Sequence, residues 1–296
     1  MEYVTLNNGV EIPILGFGVY QITKEETKKC VLDAIKVGFR AIDTAQSYFN
    51  EAEVGEAIAE CGVPREELFI TTKVWIDNYG YENCKKSVEE SLKKLRTDYI
   101  DLVLLHQPFA DYYGAYRALE ELYEEGKIGA IGVSNFYTDR LTDICLFGRK
   151  IIPAINQVEV NPLNAQTLAQ ENMEKHGVKM EAWAPFGEER NGLFTNETLI
   201  TIGKKYNKSA AQVMLRWLIQ RGVIIACKST HIERMEENFN VFDFELSADD
   251  IKEINNLDTG NSLFFNHQDP KMVKWFDKLV KSRRENEDCR NDKKNW

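Results

Sequence analysis

Four side chains of different chemistry stand at or near the ends of short apolar segments in this sequence: Asp43, Tyr48, Lys73 and His106. Together they offer a carboxylate, a phenol, an ammonium and an imidazole. A phenol has a reference pKa of about 10 and is a poor acid near neutral pH, but a neighbouring ammonium such as that of Lys73 lowers that pKa. Asp43 could hold the lysine in place, and His106 could orient an oxygen atom that is bonded to Tyr48.

This combination suits the protonation of an oxygen atom that gains negative charge as a hydride reaches a carbonyl carbon. None of the four side chains can supply the hydride, so a cofactor is implied. Other chemistries leave patterns that the sequence lacks, because it contains neither a Ser/His/Asp set with a nucleophile elbow nor a metal-binding His-Glu-x-x-His spacing. We therefore expect hydride transfer to a carbonyl compound, without a metal ion.

The elements that must position these side chains are short apolar segments alternating with helical periods. The predicted strands are Leu15–Val19, Ala41–Asp43, Phe69–Lys73, Ile100–His106, Ala130–Ser134, Ile155–Val160, Lys179–Trp183 and Val223–Lys228. A hairpin of Tyr3–Leu6 and Val10–Ile14 precedes them, and its Asn8-Gly9 pair favours a tight primed turn. Eight β/α units in roughly 250 residues have the size of a (β/α)8 TIM barrel. A doubly wound open sheet shares this alternation and is the alternative.

The placement of polar residues favours the barrel. Barrel enzymes carry their catalytic groups where the strands end. The polar or aromatic residues at the predicted ends are Asp43, Lys73, His106, Ser134, Asn135, Gln157, Glu159, Trp183, Lys228 and Ser229, with Tyr48 in the loop after the second strand. Each also has a structural interpretation: Asp43 and Lys73 would form an ion pair within the barrel, and His106 alone would more often be a satisfied core histidine. Their convergence on one rim favours a catalytic site.

The composition of the 296-residue chain limits its partners and its location. A formal net charge of −10 disfavours binding to nucleic acids or to an anionic membrane surface. The N-terminus does not resemble a signal peptide, and no apolar run approaches the roughly 20 residues of a membrane span. Six scattered cysteines predict free thiols in a cytoplasmic protein. No Gly-, Pro- or Ser-rich linker divides the chain, so we expect one domain over residues 1–296, with a charged, frayed tail from about residue 281.

Three motifs resemble the signatures of the aldo-keto reductase family. The first is Gly38-Phe39-Arg40-Ala41-Ile42-Asp43-Thr44-Ala45 with Tyr48, Glu51 and Gly55; the second is Gly132-Val133-Ser134-Asn135-Phe136; the third is Lys228-Ser229-Thr230 with Arg234 and Asn238. The resemblance extends from about Val4 to Phe265. It implies the barrel fold, the catalytic tetrad named above, a nicotinamide cofactor and a monomer. It also implies a C-terminal loop that closes over the active-site face.

The resemblance also implies which residues bind the cofactor. Ser134, Asn135 and Gln157 match residues that bind the nicotinamide carboxamide, and Trp183 matches an aromatic residue that stacks on the nicotinamide ring. Lys228, Ser229, Thr230 and Arg234 fall in the motif that grips the adenosine 2′-phosphate, with Glu237 and Asn238 at the adenine. Two cations and a hydroxyl suit a phosphate dianion, so NADPH is favoured over the more weakly bound NADH. Gly129, Ala226 and Cys227 depart from the family pattern, and the last two precede Lys228.

The substrate pocket is predicted from its position beside these groups. Its lining residues would be Tyr20, Phe49, Trp75, Gln107 and Phe109, with Phe264 from the C-terminal loop. Gln107 and the short loop after Trp183 resemble bacterial diketogluconate reductases, which implies small polar carbonyl substrates such as keto-sugars and methylglyoxal. One alternative is a non-catalytic NADPH-binding regulatory protein of the same fold. Another is a lyase or isomerase, in which Lys73 would form a Schiff base.

Overall fold

The structure is a computed structural model that describes residues 1–147 and 150–292. The chain divides into two compact units, Met1–Leu263 and Phe264–Trp296. The first unit contains every predicted site residue except Phe264. The second contains a helix over Pro270–Asp292, so the tail predicted to fray is helical as far as it is described; residues 293–296 lie outside the described residues. The prediction of a single domain, and of a C-terminal loop over the active-site face, stays a prediction.

Strands and helices alternate along the first unit. The strands are β1 (Tyr3–Thr5), β2 (Glu11–Pro13), β3 (Leu15–Gly18), β4 (Ala41–Asp43), β5 (Phe69–Val74), β6 (Ile100–Leu105), β7 (Ile128–Ser134), β8 (Ile155–Glu159), β9 (Lys179–Trp183) and β10 (Ile224–Cys227). The helices are α1 (Lys24–Val37), α2 (Glu51–Glu60), α3 (Tyr81–Leu95), α4 (Tyr112–Glu124), α5 (Thr138–Leu146), α6 (Thr167–Lys175), α7 (Glu197–Tyr206), α8 (Ala210–Gln220), α9 (Ile232–Phe239) and α10 (Ala248–Asn255), followed in the second unit by α11 (Pro270–Asp292). None of the described helices is both long and apolar enough to cross a membrane.

Strands β3 to β10 form a closed parallel barrel. They pair in chain order, and β10 pairs back onto β3 with Ile225 opposite Leu15. This closure confirms the predicted (β/α)8 barrel and contradicts the open-sheet alternative. Both faces of the parallel strands are covered, which explains their near-continuous apolar sequences. The predicted strand ends differ from the observed ones by only one or two residues.

The N-terminal hairpin closes the end of the barrel at which the strands begin. Asn7 Nδ2 donates to the carbonyl oxygen of Pro153 at 3.0 Å, and Asn8 Nδ2 donates to that of Gly129 at 2.9 Å. The predicted two-residue primed turn is wrong: Leu6 N donates to Val10 O, and Gly9 N donates to Leu6 O. In this part of the chain only Gly9 has a positive φ, of 86°. A primed type I turn would require Asn8 to share that conformation, so the loop is one residue longer.

The interior of the barrel changes character along its axis. Near the hairpin it is filled by a separate apolar cluster that includes Leu6, Ile12, Leu102, Leu104 and Ile155, all buried. This cluster excludes water from the lower part of the barrel. Toward the opposite, C-terminal end the buried side chains are polar, and this is where the predicted site lies.

Candidate active site

Lys73 is the centre of the predicted tetrad. Its side chain projects from β5 and is fully buried. Its Nζ donates to Asp43 Oδ1 at 2.6 Å, to the Thr44 carbonyl oxygen at 3.0 Å and to the Tyr48 hydroxyl at 3.2 Å. The ammonium thus fixes the distance between the carboxylate at the end of β4 and the phenol in the loop that follows. The predicted contacts among Asp43, Tyr48 and Lys73 are present in the structure.

The loop that carries Tyr48 is tied to the barrel on both sides. Thr44 N donates to Thr71 O at 2.9 Å and thereby continues the β4–β5 pairing beyond Asp43. After Tyr48, the buried side chain of Asn50 accepts a hydrogen bond from Thr44 Oγ1 at 2.9 Å and donates one to Val19 O at 3.0 Å. Because both ends of this short segment are anchored, the phenol has a defined position against Lys73.

The Tyr48 hydroxyl is a weaker acid than the sequence suggested. Burial of the hydroxyl raises the pKa of Tyr48 to about 12, although the ammonium of Lys73 acts in the opposite direction. The lysine has the predicted effect, but loss of hydration is the larger one. Burial also lowers the pKa of Lys73, yet Asp43 and Tyr48 raise it more, and the net shift is upward. At neutral pH the phenol therefore carries its proton and the lysine carries its charge.

His106 completes the tetrad directly after β6. Its ring centroid lies 5.7 Å from that of Tyr48 and 5.1 Å from that of Trp75, in edge-to-face arrangements. Its Nδ1 lies 3.3 Å from the hydroxyl oxygen of Ser47. The imidazole is therefore beside the phenol, as predicted, and half-buried at the mouth of the barrel. The predicted Trp75 is buried against it.

The residues predicted to hold the carboxamide form one network on the adjoining strand ends. Ser134 Oγ donates to Gln157 O at 2.9 Å, and Asn135 Nδ2 donates to Ser134 Oγ at 3.0 Å. Trp183 Nε1 donates to Asn135 Oδ1 at 3.0 Å, which fixes the indole edge. Gln157 Nε2 donates to Asp43 Oδ2 at 3.0 Å. The amide groups are thus linked directly to the tetrad.

The residues predicted to hold the 2′-phosphate lie between β10 and the start of α9. Lys228, Thr230 and Arg234 are exposed, whereas Ser229 is buried and its Oγ accepts a hydrogen bond from His231 N at 3.1 Å. Neither cation forms an ion pair within the described part of the chain, but the charge of Lys228 opposes the rise in the pKa of the nearby Glu188 carboxyl. Further along α9, Glu237 is half-buried and Asn238 is buried.

The departures before Lys228 leave β10 intact. Cys227 pairs in register with Phe17 of β3, and its Sγ donates to Gly16 O at 3.5 Å. Burial raises the pKa of the Cys227 thiol to about 12, so it is a neutral packing group. Ala226 pairs with Gly16 in the same ladder. The strand therefore delivers Lys228 to the rim of the barrel despite its unusual sequence.

The predicted substrate residues differ in exposure. Tyr20 and Phe49 are 49% and 55% exposed, and the Tyr20 ring lies 5.0 Å from that of Tyr48. Gln107 and Phe109 are buried, and Gln107 Oε1 has no hydrogen-bond partner among the described residues. Tyr20 and Phe49 thus give the mouth of the site an aromatic rim, and the amide oxygen of Gln107 lies below the accessible surface. Phe264 belongs to the second unit, and its predicted role stays a prediction.

Sequence reasoning missed a second buried carboxyl group in the barrel. Glu181 lies on β9, two residues before Trp183, and is 3% exposed. Side chains two residues apart in a strand share a face, so Glu181 lies on the same face as Trp183. An acid on that face of a strand predicted to be buried could have been noticed in the sequence. In contrast, Glu159, which was grouped with the site, accepts a hydrogen bond from Leu263 N at 2.9 Å and holds that segment.

Comparisons with known proteins agree with this geometry. The sequence profile of the Aldo/keto reductase family matches residues 14–259. The glyoxal reductase of Bacillus subtilis is 46% identical over 258 residues, which cover 86% of this chain and 92% of that protein. The 9,11-endoperoxide prostaglandin H2 reductase of Trypanosoma cruzi is 46% identical over 257 residues, covering 86% of this chain and 90% of that protein.

Solved structures give the same result. An aldo-keto reductase enzyme from a Medee basin deep-sea metagenome library superimposes with a TM-score of 0.87 and 41% identity, covering 90% of this chain and 98% of that one. The Bombyx mori aldo-keto reductase, in complex with NADP, superimposes with a TM-score of 0.84 and 35% identity, covering 89% of this chain and 95% of that one. Fold and site thus define an oxidoreductase that acts on carbonyl groups. The chain belongs to the aldo/keto reductase family.

Proposed function

We propose that this protein reduces aldehydes and ketones to alcohols with NADPH, and that Tyr48 donates the proton. The observation that carries the proposal is the contact of the Tyr48 hydroxyl with Lys73 Nζ at 3.2 Å, while Asp43 binds the same ammonium at 2.6 Å. A purely structural ion pair would not need a phenol as a third partner. It also would not need an imidazole beside that phenol at the open end of a barrel.

The polar groups around the tetrad fit a nicotinamide. Ser134, Asn135 and Gln157 offer one hydroxyl and two amides at adjoining strand ends, a donor and acceptor set that matches a carboxamide. The half-buried ring of Trp183 offers a flat apolar surface whose edge is held by Asn135. When bound, a reduced nicotinamide supplies the hydride that no side chain can provide.

The preference for the phosphorylated cofactor rests on charge. Lys228 directly follows β10 and Arg234 lies in the first turn of α9; both cations are exposed, and Ser229, which carries a hydroxyl, comes directly after Lys228. A phosphate dianion pairs with both cations, whereas a ribose hydroxyl gains little from either. We therefore infer that NADPH binds more tightly than NADH.

The proton transfer follows from the charges in the site. Tyr48 holds its proton at neutral pH because burial raises its pKa to about 12. As negative charge develops on the carbonyl oxygen, Tyr48 gives up that proton and becomes a phenolate, which Lys73 stabilises. Asp43 keeps the ammonium aligned, and His106 orients the oxygen. Tyr48 is half-buried and its ring lies beside that of the exposed Tyr20, so the phenolate can be reprotonated from the open end of the barrel.

We propose small polar carbonyl compounds, methylglyoxal and keto-sugars among them, as substrates. Gln107 stays a predicted lining residue, although its Oε1 is shielded from solvent in the structure. Tyr20 and Phe49 give the mouth of the site an aromatic rim that a small aldehyde can pass. The similarity to the glyoxal reductase of Bacillus subtilis supports this class. Few fixed polar groups line the pocket, so we expect broad specificity.

The test of this proposal is turnover by the purified protein with methylglyoxal and each nicotinamide cofactor. We expect one NADPH oxidised for each carbonyl consumed, with a lower kcat/KM for NADH because the phosphate contacts are lost. Tight NADPH binding without turnover of methylglyoxal, a nitrobenzaldehyde or a keto-sugar would favour the regulatory protein instead. Borohydride trapping of substrate on Lys73 would favour a lyase.

We also propose a cytoplasmic monomer without nucleic-acid or membrane partners. The net charge of −10 supports this, as do the free thiols of Cys30, Cys61, Cys84, Cys145 and Cys227. Light scattering of the purified protein tests the monomer: a mass of 34.1 kDa is expected, and a concentration-independent multiple of it would contradict the proposal.

A further inference from the structure

Glu181 is a buried acid that the reaction described above does not use. It lies in the middle of β9, opposite Gln157 on β8 and Ile224 on β10. Its side chain is almost completely buried, and its Oε2 has no hydrogen-bond partner within the described residues. A carboxylate in such a place is costly unless it is paired or protonated. The group therefore needs an explanation that packing alone does not give.

Glu181 is connected to the catalytic groups through one amide. Gln157 Nε2 donates to Asp43 Oδ2 at 3.0 Å, and Gln157 is the register partner of Glu181 on the neighbouring strand. The other oxygen of Asp43 accepts from Lys73, which in turn contacts the Tyr48 hydroxyl. A continuous series of contacts thus runs across the barrel from Glu181 to the phenol.

The charges that face Glu181 come from two strands. The net effect of its surroundings raises the pKa of the Glu181 carboxyl to about 8: burial is the largest cause, the negative charge of Asp43 adds to it, and Lys73 and the Gln157 side chain oppose it. On β10 the residues that share the face of Ile224, the register partner of Glu181, are Ile224 and Ala226, and neither is titratable. At neutral pH Glu181 therefore holds a proton, and Asp43 is the anion that balances Lys73.

We propose that Glu181 is a positioning residue for carbonyl reduction: as a neutral acid it holds Gln157 against Asp43 and leaves one anion to balance Lys73, and its ionisation slows the reaction. This inference rests on the proposed function of Tyr48. It explains why a carboxyl group occupies a barrel position where an apolar side chain would pack without cost.

The direction of the effect follows from electrostatics. Loss of the Glu181 proton places a second negative charge in a region of low dielectric, close to Asp43 and Lys73. That charge raises the pKa of Tyr48 further and makes it a poorer proton donor. It also disfavours the negative charge that develops on the substrate oxygen. Reduction should therefore slow as the pH rises through the pKa of Glu181, before Tyr48 itself ionises.

The first test is the pH profile of kcat in Glu181→Gln, which keeps shape and neutrality but cannot ionise. We expect its kcat to stay within roughly threefold of wild type at neutral pH. The fall in the wild-type rate near pH 8 should move to higher pH by about one unit or more in the variant. The matched control is Glu120→Gln, another buried acid, which accepts from Lys150 N and Ile151 N far from the barrel interior. Its profile should match wild type, and identical profiles for wild type and Glu181→Gln would overturn the proposal.

The second test does not depend on turnover and so separates this inference from the proposed function. Infrared difference spectra of the folded protein, recorded across pH 6 to 10, report the C=O stretch of protonated carboxyl groups. We expect a band that disappears near pH 8 in wild type and is missing in Glu181→Gln. Absence of such a band overturns the proposal even if the enzyme is active. If Glu181→Gln does not fold, Glu181→Leu also removes the titrating group, and the same two measurements apply.

Discussion

At the scale of single residues, the site is organised by one buried ammonium, which the Asp43 carboxylate balances. Lys73 is fully buried, and its three hydrogen-bond partners in the site, Asp43, Thr44 and Tyr48, each present an oxygen to it. A buried charge is tolerated only when its hydrogen-bonding capacity is satisfied, and here all three donor positions are used. Any change in the charge of this cluster therefore acts on the phenol.

The cofactor preference is a prediction at this scale. In the double variant Lys228→Ala, Arg234→Ala we expect the Kd for NADPH to rise by roughly 100-fold, since two charge-assisted contacts are lost. The Kd for NADH should change by no more than about threefold, because its ribose hydroxyl makes neither contact. Fluorescence titration measures both constants.

The matched control for this pair is Lys85→Ala, Lys93→Ala, which removes two cations from α3. This control should leave both dissociation constants unchanged if the effect of Lys228 and Arg234 is local. The dependence of its cofactor binding on salt concentration should match that of wild type. Equal losses of NADPH and NADH affinity in the Lys228 and Arg234 variant would refute the phosphate contact.

Sequence alone predicted which four side chains would lie together in the site, but not the balance of charge around them. Asp43, Tyr48, Lys73 and His106 were found because each terminates or follows an apolar segment. The pKa of Tyr48 was expected to fall because only the charge of Lys73 was considered. How deeply the hydroxyl is buried depends on the anchoring of its loop by Asn50, and this is a tertiary contact that no local pattern reveals. Glu181 escaped notice because it lies within a strand and not at its end.

At the scale of secondary-structure elements, the helices that follow β4 and β5, α2 and α3, pack closely against each other. A Cβ atom added at Gly55 on α2 would lie 2.1 Å from Lys94 O and 2.8 Å from the Leu95 backbone. Such distances are impossible without separating the two helices. Gly55 is therefore required by packing, which accounts for its place in the first family motif.

We expect Gly55→Ala to lower the free energy of unfolding by about 1–3 kcal/mol, since the helices must move apart to admit the methyl group. Urea denaturation measures this change. Gly18→Ala is the control, because its added Cβ would meet nothing closer than 3.7 Å. If both variants are equally stable, the close packing of α2 against α3 is not a constraint on the fold.

The strands were predictable and the first turn was not, for a physical reason. Strands buried on both faces need nearly continuous apolar sequence, so their positions follow from composition. The Asn8-Gly9 pair is compatible with several hairpin loops, and the choice among them is made by Asn7 and Asn8, which bind the start of β7 and the segment before β8. Contacts 121 and 146 residues away in sequence decided a local conformation.

At the scale of the whole molecule, burial of Glu181 makes stability depend on pH. The pKa of this acid rises from 4.5 in the unfolded chain to about 8 in the folded protein. Between these values the folded state binds a proton that the unfolded state has lost, so the contribution of this group to stability falls as the pH rises. The decline from this group ends about one unit above the pKa of Glu181 in the folded protein.

The variant Glu181→Gln should remove this dependence. Its free energy of unfolding, compared with that of wild type, should become relatively more favourable as the pH increases from 5 to 9. Denaturation curves at four or five pH values measure the difference, and Glu120→Gln again serves as the control. A constant difference between Glu181→Gln and wild type over this range would mean that Glu181 titrates normally in the folded protein.

The role of Tyr48 in proton donation is tested most directly by measuring turnover and cofactor binding in the same protein, Tyr48→Phe. With methylglyoxal and NADPH we expect kcat to fall by at least about 100-fold while the Kd for NADPH stays within about twofold of wild type. Tyr99→Phe, which loses a hydroxyl just before β6 at the opposite end of the barrel, should behave as wild type. A Tyr48→Phe protein that retains wild-type turnover would contradict the assignment of the proton donor.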